Sequence, residues 1–150
     1  MANTCISLHV HIVFSTKNRA PLINAEWRGC LRAYLGGIAV EYKMKPLEIG
    51  GVADHVHMLV SLPSTISLSK AVQLLKGNSS KWINETFPGN GRFQWQEGYG
   101  AFSVSMSQIP DTMEYIRSQE QHHRKKTFQA EYLAFLKKHG IEYDERYLWE

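Results

Sequence analysis

Asp54-His55-Val56-His57-Met58-Leu59-Val60 is the stretch on which the reading of this chain turns. Side chains alternate across a β-strand, so His55 and His57 share one face while Val56, Met58 and Val60 share the other. The apolar set enters a core. The two imidazoles are then held side by side on the opposite face, near an acidic residue. A rigid pair of neutral imidazoles is half of a metal site. Asp54 can be a ligand, an acid orienting His55, or a turn residue. In a regular strand its side chain faces away from His55, which favours the turn.

Upstream, residues 5–15 alternate in the same way. Leu8, Val10, Ile12 and Phe14 form one face and His9, His11 and Val13 the other, which predicts a strand. The loop Thr16-Lys17-Asn18-Arg19-Ala20-Pro21 is basic and turn-rich. Asn24 is an expected N-cap for a helix through about Tyr42, with Trp27, Leu31, Tyr34, Leu35 and Ile38 at helical spacing and Gly36-Gly37 as a local weakness. Residues 46–52 and 54–62 are expected as two strands joined by a tight turn. Ser67 is expected to cap a second helix through about Glu85, whose apolar stripe includes Leu68, Ala71, Leu75 and Ile83.

Residues 92–106 hold at least one strand, clearest from Ala101 to Met106. Pro110 starts a third helix through about His123. Residues 128–139 form another, stopped by Gly140. The order is β-α-β-β-α-β followed by helices, the split βαβ or ferredoxin-like α+β pattern, also that of an RRM. Its antiparallel sheet has the first and third strands at the centre. His9 and His11 then lie beside His55 and His57 on the face that the first two helices leave open, for the C-terminal helices of this chain or of a partner to cover.

The chain has 150 residues, enough for one domain with a real core. The expectation is a single domain over 1–150, with a core at about 5–123 and a C-terminal helix and tail at about 124–150. Residues 1–110 carry ten Lys and Arg against six Asp and Glu, and residues 111–150 seven against eight. The basic excess in the first part suggests an anionic partner. No apolar run is long enough to span a membrane and there is no signal-peptide core, so a cytoplasmic protein is expected. Cys5 and Cys30 form no CxxC pair, which fits a reducing compartment.

The third predicted helix carries Tyr115 and Gln119, four apart and therefore on one helix face. Apolar residues on that face are few. A tyrosine there is ordinarily a half-buried anchor; the upstream His-x-His pair raises the prospect of chemistry.

Together these segments resemble the HUH single-tyrosine transposases of insertion sequences, including the REP-associated tyrosine transposases. His55-Val56-His57 matches the His-hydrophobe-His motif. His11-Ile12-Val13-Phe14-Ser15-Thr16-Lys17-Asn18-Arg19 is similar to the family's opening strand and basic loop. Lys76-Gly77-Asn78-Ser79-Ser80-Lys81 resembles its second helix, Trp95-Gln96-Glu97-Gly98-Tyr99 the stretch before its last strand, and Tyr115-Ile116-Arg117-Ser118-Gln119 its nucleophile helix. The resemblance covers about residues 8–123, with the segments in the right order.

The resemblance implies a DNA transposase that cleaves and rejoins single-stranded DNA folded into hairpins. Tyr115 would be the nucleophile, giving a 5′-phosphotyrosine and a free 3′-OH. His55, His57 and Gln119 would ligate one divalent ion. Two imidazoles and an amide suit Zn, Ni or Mn; the family implies Mg²⁺ or Mn²⁺, with phosphate oxygens completing the shell. It also implies a homodimer in which Tyr115 of one subunit serves the histidines of the other. The chemistry is coherent: a tyrosine ester conserves the bond for rejoining, and a weakly ionised phenol needs a metal or a base.

Lys17, Arg19, Lys76 and Lys81 are candidate contacts to the DNA backbone, and Trp95 and Tyr99 candidate stacking platforms or core residues. His9 and His11 form a second pair that would touch phosphate, join a network with His55 and His57, or serve as hydrogen-bonded strand residues. His122-His123-Arg124-Lys125-Lys126 is a basic helix end. Two other classes compete: a non-catalytic RRM-like nucleic-acid module, for which Gly98–Val104 is a degraded motif, and a metal-dependent phosphodiester hydrolase that does not use Tyr115. A zinc deaminase is excluded by the missing His-x-Glu and Pro-Cys-x-x-Cys.

Overall fold

The computed structural model describes residues 3–119, 121 and 126–149. Its elements are β1 (His9–Ser15), α1 (Arg28–Glu41), β2 (Lys45–Gly51), β3 (His55–Ser61), α2 (Leu68–Thr86), β4 (Gly100–Ser103), α3 (Ile109–Arg117) and α4 (Phe128–Lys138). The four strands form one antiparallel sheet in the order β2-β3-β1-β4, so β1 and β3 are central as their apolar alternation requires.

Register divides the sheet into two chemically different faces. Val10 pairs with Val60, Ile12 with Met58 and Phe14 with Val56. These side chains pack with Leu31, Leu35 and Ile38 of α1 and Ala71, Leu75 and Ile83 of α2 in the main core. Each such side chain, fully buried, contributes about 1.5–3 kcal/mol of transfer free energy. On the other face His11 pairs with Leu59, Val13 with His57 and Ser15 with His55. A slip of one residue would exchange the two sets, so the core locks the histidines onto their face.

Local signals mostly hold, with shifted ends. Ser67 caps α2 as expected, its hydroxyl accepting from the Lys70 N–H at 3.1 Å. Asn24 does not cap α1. Its Oδ1 accepts from the Glu26 N–H at 2.9 Å in a local turn, and the helix begins only at Arg28. Gly36-Gly37 stays helical because β2 packs against it; a Cβ on Gly36 would lie 3.5 Å from Ile49. β4 ends at Ser103, and Met106 belongs to a 3-10 turn that leads into α3.

α3 is shorter than expected. The Ser118 N–H returns to the Glu114 carbonyl and closes it after Arg117, so Gln119 lies just beyond the helix. The expected continuation to His123 and the basic run 122–125 fall outside the described residues. Thr127 caps α4 through the Ala130 N–H, and Gly140, at φ 64°, terminates it in the left-handed region that glycine adopts without strain.

Two helices cover the histidine face. α3 lies over β2 and β3, while Phe128, Tyr132 and Leu136 of α4 pack with Val13 and Phe102. Each helix seats on a glycine. Gly50 pairs with His57, and a Cβ there would overlap the Ile116 carbonyl oxygen; Gly100 pairs with Val13, and a Cβ there would lie 2.5 Å from the Tyr132 ring. No described helix is long and apolar enough to cross a membrane.

Candidate metal and nucleophile site

His55 and His57 are fully buried, ring centroids 5.1 Å apart, beneath the junction of α3 and α4. Asp54 Oδ1 lies 2.8 Å from His55 Nδ1. Asp54 lies in the bend before β3, as the turn reading expects, and its side chain also holds His55. Asp54 sits just outside the regular strand, so alternation does not carry its side chain away from His55. A carboxylate there accepts the Nδ1 proton and leaves the Nε2 lone pair aimed inward.

Gln119 and Glu131 meet this inward side. Gln119 is buried, with its Oε1 3.3 Å from His55 Nε2 and its amide nitrogen donating to the Tyr115 carbonyl at 3.3 Å. Glu131 of α4 is also buried; its Oε1 is 2.8 Å from His57 Nε2 and its Oε2 4.0 Å from His55 Nε2. Ligand atoms of His55, His57 and Glu131 all lie within 4.8 Å of one another. Two ligands of one ion at about 2.1 Å lie no more than about 4.2 Å apart, so the three atoms would have to draw together to share a cation. Glu131 Oε2 is buried and has no hydrogen-bond partner among the described residues, which leaves its lone pairs open to a cation. Two imidazoles, a carboxylate and an amide oxygen form a donor set suited to a borderline or hard divalent ion.

The Tyr115 hydroxyl donates to Glu131 Oε1. Its ring sits 5.8 Å from that of His57 and 5.7 Å from that of Phe135. Burial, then the bond to Glu131 and the Glu131 charge, push the phenol well above its ordinary value; the bond to Gln119 works weakly the other way. Burial also pushes the Glu131 carboxyl up. The hydrogen bond and charge of His57, then the Tyr115 hydroxyl and the charge of His55, outweigh it and hold the group at about 2. Without a cation, then, the Tyr115 phenol is held protonated on an ionised carboxylate. A cavity of about 280 Å³ opens beside Tyr115, lined by His11, Asp111, Glu131, Phe135 and Lys138 among others.

A family model described as "Transposase IS200 like" matches residues 4–119. The chain belongs to the IS200-like transposase family. It is 30% identical over 125 residues to the transposase for insertion sequence element IS200 of Salmonella typhimurium, covering 79% of this chain and 81% of that one. It is 26% identical over 117 residues to the ISDra2 transposase TnpA of Deinococcus radiodurans, covering 75% and 84%. Among solved structures, a transposase from Deinococcus radiodurans R1 superposes with a TM-score of 0.64 at 23% identity over 79% of this chain and 95% of that one. A REP-associated tyrosine transposase bound to a REP hairpin does so with 0.60 at 13% identity over 82% and 73%. Both share this fold.

The family match ends at Gln119, so it includes His55, His57, Tyr115 and Gln119 and leaves out Glu131. Sequence reading also missed Glu131. The available signal was a lone acid between Phe128, Tyr132 and Phe135 on the apolar stripe of a helix.

The other candidates separate clearly in this transposase. Lys76 is committed to the fold: its ammonium donates to the carbonyls of Gln96, Glu97 and Gly98 at 2.5, 3.1 and 2.9 Å, which uses all three protons. Burial, partly offset by the Glu97 charge, lowers it to about 8. Lys76 thus anchors the 96–98 loop. Trp95 is a core residue, edge-on to Phe14 and Phe93 and donating to Ser79 Oγ at 2.9 Å, and Tyr99 packs on the same core. Lys17 and Lys81 are exposed, and the Arg19 guanidinium lies 5.6 Å from the centre of the Trp149 ring. The sheet face that an RRM would offer to bases is covered by α3 and α4.

Proposed function

We propose that this transposase cleaves and rejoins single-stranded, hairpin-containing DNA through a 5′-phosphotyrosine formed on Tyr115, assisted by a divalent cation held at His55, His57, Gln119 and Glu131. One observation carries the reading. The Tyr115 hydroxyl rests on the same carboxylate that faces both histidines, so nucleophile and metal ligands converge on a single point.

In the cleavage step the Tyr115 oxygen attacks phosphorus, the P–O3′ bond breaks, and the 3′ oxygen leaves as a hydroxyl. The phenol proton already lies on a hydrogen bond to Glu131, which gives it a path out. When bound, Mg²⁺ or Mn²⁺ supplies the positive charge that polarises the phosphate and offsets the carboxylate beside the phenol. Asp54 and Gln119 hold His55 and the end of α3 in place. The cavity beside Tyr115 is the approach for the phosphate, with Lys138 on its wall. Lys17, Arg19 and Lys81 are the backbone contacts in this reading. A relative of the same fold is described bound to a REP hairpin, which supports a hairpin partner.

The family resemblance brings with it a homodimer with exchanged nucleophiles. Within this chain Tyr115 already lies against its own His57, so exchange would require α3 to leave Gly50 of one subunit for Gly50 of the other. Mixing Tyr115→Phe with His57→Ala protein distinguishes the two: recovered cleavage means exchange, and none means that each chain serves itself.

The primary test is incubation of the purified protein with labelled hairpin oligonucleotides from sequence flanking its own gene, in Mn²⁺, followed by a denaturing gel. The expected result is a covalent protein–DNA band abolished by EDTA and by Tyr115→Phe. Cleavage that survives Tyr115→Phe would point to a hydrolase; binding without cleavage or adduct would point to a binding module.

A further inference from the structure

His11 lies outside the ligand set, yet it is buried at 2% exposure, with its Nε2 2.8 Å from His57 Nδ1. On β1 it stands diagonal to His57, whose direct partner is Val13; a diagonal neighbour on an antiparallel sheet is within reach of a long side chain. The His11 ring is wedged edge-on against Phe135 at 5.0 Å and faces Tyr115 at 6.3 Å, so it has little freedom to turn. The two histidines of the motif are therefore held in parallel ways. Each has its Nδ1 engaged, His55 by Asp54 and His57 by His11, and each turns its Nε2 toward Glu131.

We propose that His11 is a positioning residue that fixes the ring orientation and tautomer of His57 toward the cation, as Asp54 does for His55. This rests on the metal-assisted reading above. The partner of a ligating imidazole sets which nitrogen carries the proton. Asp54 only accepts, so it keeps a proton on His55 Nδ1. A neutral imidazole works in both directions. In the metal-free chain His57 Nε2–H donates to the Glu131 carboxylate, and one proton is shared between His57 Nδ1 and His11 Nε2. With a cation on His57 Nε2, the His57 proton resides on Nδ1 and is donated to His11 Nε2, while the His11 proton resides on its own Nδ1. The His11–His57 hydrogen bond is kept in both states. Burial first, and then the neighbouring His57, keep His11 well below its ordinary pKa despite Glu131, consistent with a neutral ring.

Two measurements test this. In the ¹⁵N-labelled, metal-free chain, a through-hydrogen-bond ¹⁵N–¹⁵N coupling is expected between His11 Nε2 and His57 Nδ1; its absence overturns the proposal without any metal being involved. Titration calorimetry with Mn²⁺ then compares wild type, His11→Met and His11→Gln. Methionine fills the site without a partner for His57, and glutamine retains a group that both donates and accepts. The expected dissociation constant rises about 10–100-fold for methionine, with most of the loss recovered by glutamine and with melting temperatures showing that both variants fold. Wild-type affinity in His11→Met overturns the role of His11. A wild-type chain that binds no Mn²⁺ overturns the metal-assisted reading itself and the positioning role with it. If methionine prevents folding, the coupling and the glutamine variant decide.

Discussion

Gly50 of β2 faces the main-chain carbonyl of Ile116 so closely that no Cβ can be accommodated between them. Gly50 is also the sheet partner of His57. The missing side chain is what lets the helix carrying Tyr115 settle beside the histidine pair, with Ile116 fully buried.

Gly50→Ala is therefore expected to act on the site more than on the fold. The added methyl pushes α3 outward, and a displacement of about 1 Å at a nucleophile costs about 100-fold in rate. The main core on the far face is untouched, so the stability loss should stay at about 1–3 kcal/mol. Adduct formation and thermal melting measured on the same protein check this. A variant with normal adduct rates would mean that α3 does not work from this seat.

Asp54→Ala is expected to weaken Mn²⁺ binding about 10–100-fold by releasing the His55 ring from its inward tautomer. Asp54→Asn, which can still accept at Nδ1, should lose less. Calorimetry in the absence of DNA reads this directly.

Acid should unfold the chain in two stages. A neutral buried His11 has a depressed folded pKa, so its contribution is present above the unfolded value of about 6.5 and is lost as pH falls below it. Glu131, held at about 2, contributes above the unfolded carboxylate value of about 4.3 and loses that contribution between there and about 2. Denaturant midpoints from pH 8 to 3 should fall accordingly. His11→Gln should flatten the upper part of the curve and Glu131→Gln the lower part.

Lys76→Met and Lys81→Met should behave differently despite their neighbouring positions. Loss of the Lys76 ammonium leaves three carbonyls of the 96–98 loop without their donor, at about 1–3 kcal/mol. Loss of Lys81, on the exposed surface, should leave melting unchanged and reduce the salt dependence of DNA binding by about one phosphate contact. Melting curves and salt titrations of a fluorescent oligonucleotide separate the two effects.

The chain by itself determined a good deal. Alternation in 8–14 and 55–60 decided which residues face the core, and therefore that His11, His55 and His57 share a face, because side-chain direction in a strand is a local property. The cap at Ser67 and the stop at Gly140 were equally local. Tertiary structure alone decided what stands above that face. Glu131 is distant in sequence from His57 and looks like one acid in an amphipathic helix until α4 is seated on Gly100. The Asp54 rotamer depends on where the strand begins, and the partners of Lys76 lie in a loop some twenty residues away. Local periodicity prescribes the face on which a side chain stands. Its partners are set by long-range packing, which for this site means the two glycines that let helices approach the histidines.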